Sequence, residues 1–344
     1  MEKIKNIFNN KKILVTGGAG SIGSEIVRQL LQYNPAVVRI FDNNENRQFL
    51  FEHELEDHKN VRFLIGDIRD LDRMKTAMEG IDIVFHAAAL KHVPLCEYNP
   101  FEAVMTNTIG TQNVIKAALS RNVDKVVVIS TDKATNPINT MGATKLLAEK
   151  LTIAINSHTG RNKTKFSCVR FGNVMGSNGS AIHLFKGQIK NKKPVTITEP
   201  DMTRFIMSIQ QAISLVLKTA EEMNGGEVFI LKMPVFNLKD FVDVIIEEVA
   251  PKYNINLEDV KIKKIGARPG EKLYESLMTE EEAENALETD KMFIVLPHKL
   301  LGLNINKDDY KGTKACALKD YNSKNLRKLS KPELKKLLYE AKLL

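Results

Sequence analysis

The sequence predicts an α/β fold, a doubly wound parallel sheet followed by a smaller C-terminal α/β lobe that binds substrate. Three observations carry this. Short apolar runs alternate with stretches of helical apolar spacing over the first 170 residues, the pattern of parallel strands joined by crossover helices. The first run leads into a glycine turn, Gly17-Gly-Ala-Gly-Ser-Ile-Gly23, which opens onto a helical segment. The second run ends in an acid, Asp42, at the distance of about 20 residues that a Rossmann unit places between its glycine turn and its ribose-binding carboxylate.

Each element follows in order. Lys12 to Thr16 is a strand, and Ile26, Leu30 and Leu31 give the segment from Glu25 to Tyr33 a helical apolar face. Val37 to Phe41, Val61 to Ile65, Ile81 to Phe85, Lys125 to Ser130 and Phe166 to Arg170 are further strands, with helices between them. The pattern changes near Phe166, and Gly172 to Gly179 reads as a loop whose end lets the chain pass to a second lobe. Helices are expected near Ala181 to Lys190, Ile209 to Glu222 and Leu238 to Val249, with short strands at Val195 to Ile197 and Glu227 to Leu231. Ser330 and Glu333 have capping-box spacing, and Leu334, Leu337, Leu338 and Ala341 share one face of a last helix that packs on its own domain. The expected division is a dinucleotide-binding domain over 1–174, a substrate lobe over 175–300 with segments returning to the first domain, and a basic helical tail over 301–344.

Composition excludes several classes. With 43% hydrophobic and 27% charged residues the 344-residue chain reads as globular, with room for about two domains. Its net charge of +8 is concentrated at one end, because residues 301–344 hold 11 Lys/Arg against 5 Asp/Glu. The rest is nearly neutral, so nucleic acid is not the expected partner. Three scattered cysteines, Cys96, Cys168 and Cys316, suit neither a disulfide framework nor a metal site. Without an apolar N-terminal core or a run of ~18 apolar residues, the expectation is a cytoplasmic protein with no membrane span.

The glycine turn has a physical purpose. Gly17, Gly20 and Gly23 allow a tight turn, close approach of backbone to a pyrophosphate and close packing of helix on strand, and the turn residues Ala19, Ser21 and Ile22 lie where helix N–H groups meet phosphate. Asp42 can accept hydrogen bonds from the adenosine ribose hydroxyls, which favours NAD. Arg47, just beyond Asn43 and Asn44, leaves NADP open. Asp67 and Ile68 are placed for adenine, and Ala87, Ala88 and Ala89 put small side chains along the cofactor's path.

The chemistry is expected at Thr131, Asp132 and Lys133, which follow Ser130, and at Met141 and Lys145. A Tyr-x-x-x-Lys pair would have its phenol where Met141 stands, and a thioether takes up no proton at neutral pH. Together with Ala88 to Pro94, Glu97 to Pro100, Asn107, Asn136, Pro137, Arg170 to Val174, Thr203 to Phe205 and Arg268 to Glu275, these residues resemble the extended short-chain dehydrogenase/reductase superfamily. Within it they are most similar to the UDP-N-acetylglucosamine 4,6-dehydratase family of polysaccharide biosynthesis, over about residues 10–280.

The resemblance implies a homo-oligomeric enzyme with tightly bound NAD, regenerated each turnover, and a nucleotide-diphosphate sugar as substrate, UDP by family default and GDP in close relatives. Carbon 4 is oxidised, water leaves across carbons 5 and 6, and carbon 6 is reduced. Asp132 would protonate the leaving hydroxyl if its pKa is raised. Lys133 would take the carbon 5 proton if burial and nearby cations lower its pKa. Thr131 would bond the carbon 4 hydroxyl, Met141 would pack beside the sugar or nicotinamide, and Lys145 would bind the nicotinamide ribose. Asn107 belongs with the cofactor, and Lys91 and His92 reach the sugar or nicotinamide from the side opposite Asp132. Asn173, Arg204, Arg268, Glu271 and Tyr274 are assigned to the nucleotide diphosphate. The glycine loop resembles the version found in enzymes that retain configuration at carbon 5. Inversion at carbon 5, a nucleotide-sugar 4-epimerase and a non-catalytic cofactor-binding regulator are the alternatives.

Overall fold

Along the first half of the chain strands and helices follow one another in strict alternation until α4 to α6. The computed structural model describes residues 7–160, 162–176, 181–298, 301–303 and 305–344. In order come β1 (Lys12–Thr16), α1 (Ser21–Leu30), β2 (Val37–Asp42), α2 (Glu45–Glu54), β3 (Val61–Ile65), α3 (Leu71–Ala77) and β4 (Ile83–His86). Then α4 (Val93–Tyr98), α5 (Pro100–Ala103), a wider helical turn at Val104–Ile109, α6 (Gly110–Ser120), β5 (Lys125–Ile129), α7 (Thr140–Ala154) and β6 (Lys165–Arg170) complete this half. Apart from Lys12, β1 is buried throughout, as suits a parallel strand covered on both faces. Helix α1 turns Ile26, Val27 and Leu30 inward, the expected helical spacing.

The second half has more and shorter elements. They are β7 (Asn173–Met175), α8 (Ala181–Lys190), β8 (Val195–Ile197), β9 (Thr203–Ser208), α9 (Ile209–Glu222), β10 (Val228–Leu231), β11 (Val235–Asn237) and α10 (Leu238–Val249). After them come β12 (Ile262–Lys264), β13 (Ser276–Met278), α11 (Glu280–Glu284), β14 (Ala286–Glu288), β15 (Met292–Val295), β16 (Lys314–Ala315), β17 (Tyr321–Asn322) and α12 (Lys331–Glu340).

Ten strands form the central sheet in the order β16-β14-β15-β10-β6-β5-β4-β1-β2-β3. From β3 to β10 neighbouring strands are parallel, while β15, β14 and β16 extend the edge antiparallel. The strand order reverses at β1, which lies between β2 and β4. The crevice beyond the carboxyl ends at such a reversal is where this architecture binds ligands. Register brings those ends level: Thr16 stands opposite Phe41 and His86, and His86 opposite Val128.

A second core belongs to the later segment. Ile182, Phe185 and Ile189 of α8, Phe241, Val242 and Ile245 of α10, and Leu334 and Leu338 of α12 pack together. The last helix therefore docks on its own lobe, and Ser330 and Glu333 form the expected capping box. Two expectations need correction. Residues 173–175 of the predicted loop form β7, because Asn173 to Met175 pair in parallel with Ile206 to Ser208. The basic segment 301–344 is more than a helical tail, since it adds β16 to the central sheet and pairs β17 with β13. The first six residues and positions 177–180, which include the rest of the expected loop, lie outside the described residues.

His86 gives the fold a predictable pH response. Its ring is fully buried at the end of β4, with Nδ1 2.7 Å from Thr16 Oγ1 and Nε2 3.0 Å from Thr111 Oγ1. Burial, then the Lys145 cation, lowers its pKa from 6.5 to about 3. The unfolded chain takes this proton below pH 6.5 and the folded chain does not, so this contribution is full above 6.5 and is lost as pH falls toward 3. Unfolding free energy should fall by about 1.4 kcal/mol per pH unit across that window. Urea unfolding of the wild type and His86→Asn between pH 7 and 4 checks this, the variant losing that part of the slope.

Candidate active site

The glycine turn and the loop after β4 meet at the crevice. Gly17 has φ +65°, and a Cβ on it would lie 2.7 Å from the Ala88 backbone. A Cβ on Gly23 would lie 2.2 Å from the Gly17 carbonyl oxygen. Both glycines are thus required by close approach of backbone to backbone. Gly23→Ala should push α1 off the turn and weaken dinucleotide binding on the order of tenfold or more. Isothermal titration calorimetry with NAD and NADP checks this.

Asp42 closes the far side of the turn. One carboxylate oxygen accepts from Ala19 N (3.1 Å) and the other from Asn44 N (2.9 Å), so the acid is oriented before any ribose arrives. Asn44 caps α2 by accepting from Arg47 N. Arg47 is exposed, and its charge, together with the larger effect of burial, lowers the Lys91 pKa. Asp67 is held by Arg69 at 2.7 Å, and Ile68 is buried.

Asn107, expected with the cofactor, is buried. Its amide donates to Leu90 O (3.0 Å) and Thr144 Oγ1 (3.1 Å), and its oxygen accepts from Leu90 N (2.8 Å). It ties the loop after β4 to α7. His92 stands at the N-terminus of α4 and is exposed.

The segment after β5 is pinned to the end of β6, since Ser130 N donates to Val169 O and Asp132 N to Phe171 O. Thr131 Oγ1 donates to Asp132 Oδ1 at 2.8 Å, and Lys133 Nζ donates to both Asp132 oxygens at 3.1 and 3.0 Å. Gly142 makes this possible on the α7 side, where a Cβ would lie 2.2 Å from Lys133 O. Asn139 caps α7 by accepting from Gly142 N at 2.7 Å.

Met141 is 3% exposed and packs with Cys96, Ala103 and Val93. It is an anchor between α7 and α4. Lys145 is buried and donates to Ile129 O at 2.5 Å. Burial lowers its pKa, with Cys168 and Glu149 opposing.

The expected lowered pKa of Lys133 is not what the site creates. Burial pulls it down, but Asp132 and Glu275 outweigh burial and the net pKa is raised. The physical reason is that carboxylates face this ammonium more closely than the cations do. Glu275 lies 3.7 Å away, and Asp132 is in direct contact.

The turn from Arg268 to Glu275 covers the pair from the second lobe. Glu271 accepts from Arg268 N at 3.1 Å, Gly270 O accepts from Asn139 Nδ2 at 2.8 Å, and Lys272 Nζ donates to Thr135 O at 2.7 Å. Arg204 donates to Thr203 O (2.9 Å) and Lys272 O (2.9 Å), and its Nε is 3.3 Å from Glu275. In this state it clamps the covering turn. Asn173, also assigned to the diphosphate, donates to both Glu275 oxygens at 3.0 Å. Arg268 is exposed, and Tyr274 stacks under the Lys324 ammonium at 5.7 Å.

Two groups at this site have no role in the sequence reading. Ser130 Oγ is buried with no hydrogen-bond partner in the protein. Such a hydroxyl costs about 1–3 kcal/mol unless a ligand meets it, and with the glycine turn it fits a bound dinucleotide. Glu275 gave no local signal, because its partners Lys133, Asn173 and Arg204 lie 71 to 142 positions away in the chain.

Known proteins share this arrangement over nearly their full length. A family model described as polysaccharide biosynthesis protein matches residues 13–297. The chain is 56% identical over 339 residues to an uncharacterized membrane protein of Methanocaldococcus jannaschii, covering 98% of each. Among the described residues here, no helix is long and apolar enough to cross a membrane. The chain is 42% identical over 338 residues to a UDP-glucose 4-epimerase of Rickettsia bellii, covering 96% of each. The X-ray structure of Pen from Bacillus thuringiensis superposes with a TM-score of 0.89 at 48% identity, covering 97% of this chain and 98% of that one. A family match that runs from β1 past β15 embraces both the glycine turn and the Asp132–Lys133 pair, and the chain belongs to the polysaccharide biosynthesis protein family.

Proposed function

We propose that the protein is a nucleotide-sugar-modifying enzyme of the extended short-chain dehydrogenase/reductase type, and specifically a 4,6-dehydratase acting on UDP-N-acetylglucosamine or a GDP analogue. The observation that carries this reading is the Asp132–Lys133 pair. A hydrogen-bonded carboxyl and amine at the carboxyl end of β5 suit the elimination of water, which requires one group to take a proton and another to give one.

The dinucleotide would be held by Gly17, Ala19, Gly20, Ser21, Ile22 and Gly23, by Asp42 at its ribose and by Ala87 to Ala89 along its length. NAD fits the Asp42 carboxylate, and exposed Arg47 leaves room for NADP. When bound, the nicotinamide supplies reversible two-electron chemistry at carbon 4. Ser130 and Lys145 are the side chains placed to meet its ribose and amide. Thr131 bonds the carbon 4 hydroxyl, and Arg268 faces the diphosphate.

The pair as found is an ammonium on a carboxylate. Passage of one proton from Lys133 Nζ to Asp132 across 3.0 Å makes an amine and a carboxylic acid. The amine then takes the carbon 5 proton, which the 4-ketone has acidified. The acid gives its proton to the carbon 6 hydroxyl, which leaves as water. Both groups then carry their starting charges. The hydride removed from carbon 4 adds to carbon 6, and a proton taken up at carbon 5 replaces the one released from the carbon 4 hydroxyl. The glycine loop supports retention at carbon 5. Free thiols at Cys96, Cys168 and Cys316 support a reducing cytosol. Exposed Leu95, Tyr98 and Phe101 on α4 and α5 and Leu147 on α7 support a homo-oligomer.

A second reading, 4-epimerisation, has one observation in its favour, the 42% identity to a protein named UDP-glucose 4-epimerase. It would return hydrogen to carbon 4 and would need no acid beside carbon 6. Incubation with UDP-N-acetylglucosamine in deuterated water, followed by proton NMR, separates the two. A 6-deoxy-4-keto sugar is expected, whereas a galacto product would overturn the dehydratase reading.

A further inference from the structure

The acid–base pair is gripped from the second lobe by one carboxylate. Glu275, just before β13, is 5% exposed. Its oxygens accept from Asn173 Nδ2 at 3.0 Å and from Phe205 N at 3.1 Å, and Arg204 Nε lies at 3.3 Å. Its backbone N–H donates to Ser323 Oγ at 2.9 Å, which fixes the chain at this residue. Lys133 thus lies between two carboxylates, Asp132 at 3.0 Å and Glu275 at 3.7 Å.

We propose that Glu275 is a positioning residue that keeps Lys133 a cation before substrate enters. The inference rests on the reading of Asp132 and Lys133 as the acid–base pair. The charged groups facing Lys133 are Asp132 on its own turn, Arg204 from β9, and Lys272 and Glu275 from the segment before β13. Arg204 and Lys272 favour the neutral amine, and the two carboxylates favour the ammonium.

Proton passage converts the ion pair into two neutral groups, and after it Glu275 faces an amine instead of a cation. An anionic Glu275 therefore opposes loss of the Lys133 proton and also repels the Asp132 carboxylate, while a protonated one does neither. Burial, then the neighbouring Asp132 charge, push the Glu275 carboxyl above the usual range. Arg204 and Asn173 hold it charged, and both are residues that the substrate's diphosphate was expected to engage. Glu275 thereby links the substrate lobe to the acid–base pair without touching the reacting carbons.

The test reads Lys133 directly. Full-length wild type, Glu275→Gln and Glu275→Asp are treated with acetic anhydride at pH 8, and the acetylation rate of Lys133 is followed by peptide mass spectrometry. The rate tracks the neutral amine, so each unit by which the Lys133 pKa falls raises it tenfold, and about a tenfold rise is expected in Glu275→Gln. Buried Lys145 is the internal control for unfolding. If Lys145 also becomes reactive in Glu275→Gln, Glu275→Asp decides, because its shorter side chain withdraws the carboxylate from Nζ and should raise the Lys133 rate by a smaller factor. An unchanged Lys133 rate in folded Glu275→Gln, or in Glu275→Asp where that variant decides, would overturn the proposal. No turnover enters this measurement, so its failure is distinct from failure of the dehydratase reading.

Discussion

Asp132→Asn and Lys133→Met should each lower turnover of UDP-N-acetylglucosamine by about 10²–10⁴-fold, the usual contribution of a positioned general acid or base, while the dinucleotide stays bound. The asparagine keeps the shape of Asp132 and its bond from Thr131 but has no proton to give. The methionine fills the space of Lys133 and removes the amine. It also leaves Asp132 and Glu275, both buried, without the ammonium they share, so Lys133→Met should be the less stable of the two. Steady-state turnover by NMR, with calorimetric titration of the dinucleotide, separates lost chemistry from lost binding. Retained turnover in either variant would remove that residue from the mechanism.

Arg170→Met should cost about 3–5 kcal/mol of stability, the range seen when one partner of a buried ion pair is removed. Arg170 is the largest fully buried side chain. Its guanidinium donates to Glu149 at 2.7 and 3.1 Å, to Glu282 at 2.9 Å twice and to Leu277 O at 2.8 Å. These bonds join α7 and β6 to α11, and through them the helix carrying Lys145 to the segment carrying Glu275. Without the guanidinium, Glu149, which is 1% exposed, has lost its cation. Adding Glu149→Leu to Arg170→Met should recover part of the loss, because a buried charge without a partner costs more than an apolar pair. Urea unfolding of the single and double variants measures both effects.

The parts of the fold that were legible in the sequence are those with local causes. Strands β1, β4, β5 and β6 announce themselves as apolar runs because both of their faces are covered. Gly17, Gly20, Gly23 and Asp42 were legible as a candidate dinucleotide site because a turn, a helix start and a strand end lie within 26 residues. The capping box at Ser330 and the apolar face of α12 are equally local. What escaped depends on distant pairing. Strands β14 and β16 are three and two residues long, too short for a period, and exist because the edge of β15 is there to be extended.

The same distinction holds in the site. Asp132 and Lys133 are adjacent in sequence, and their role could be argued from chemistry. The direction of the Lys133 pKa could not, because Glu275, 142 positions further on, joins Asp132 against burial. Arg204 and Asn173 were read as polar groups for the nucleotide diphosphate. Their present partners, the 271–275 turn and Glu275, come from a segment that the sequence does not place beside them. Met141 gave the same lesson. It was read as packing beside the sugar or nicotinamide, and its neighbours Cys96 and Ala103 come from a segment some 40 residues earlier that sequence does not place there.

The central claim is that Asp132 and Lys133 serve removal of water across carbons 5 and 6. UDP-N-acetylglucosamine labelled with deuterium at carbon 4 tests it most directly. The account predicts a 4-keto-6-deoxy product with the label at carbon 6. Label found again at carbon 4 of a galacto sugar would contradict it.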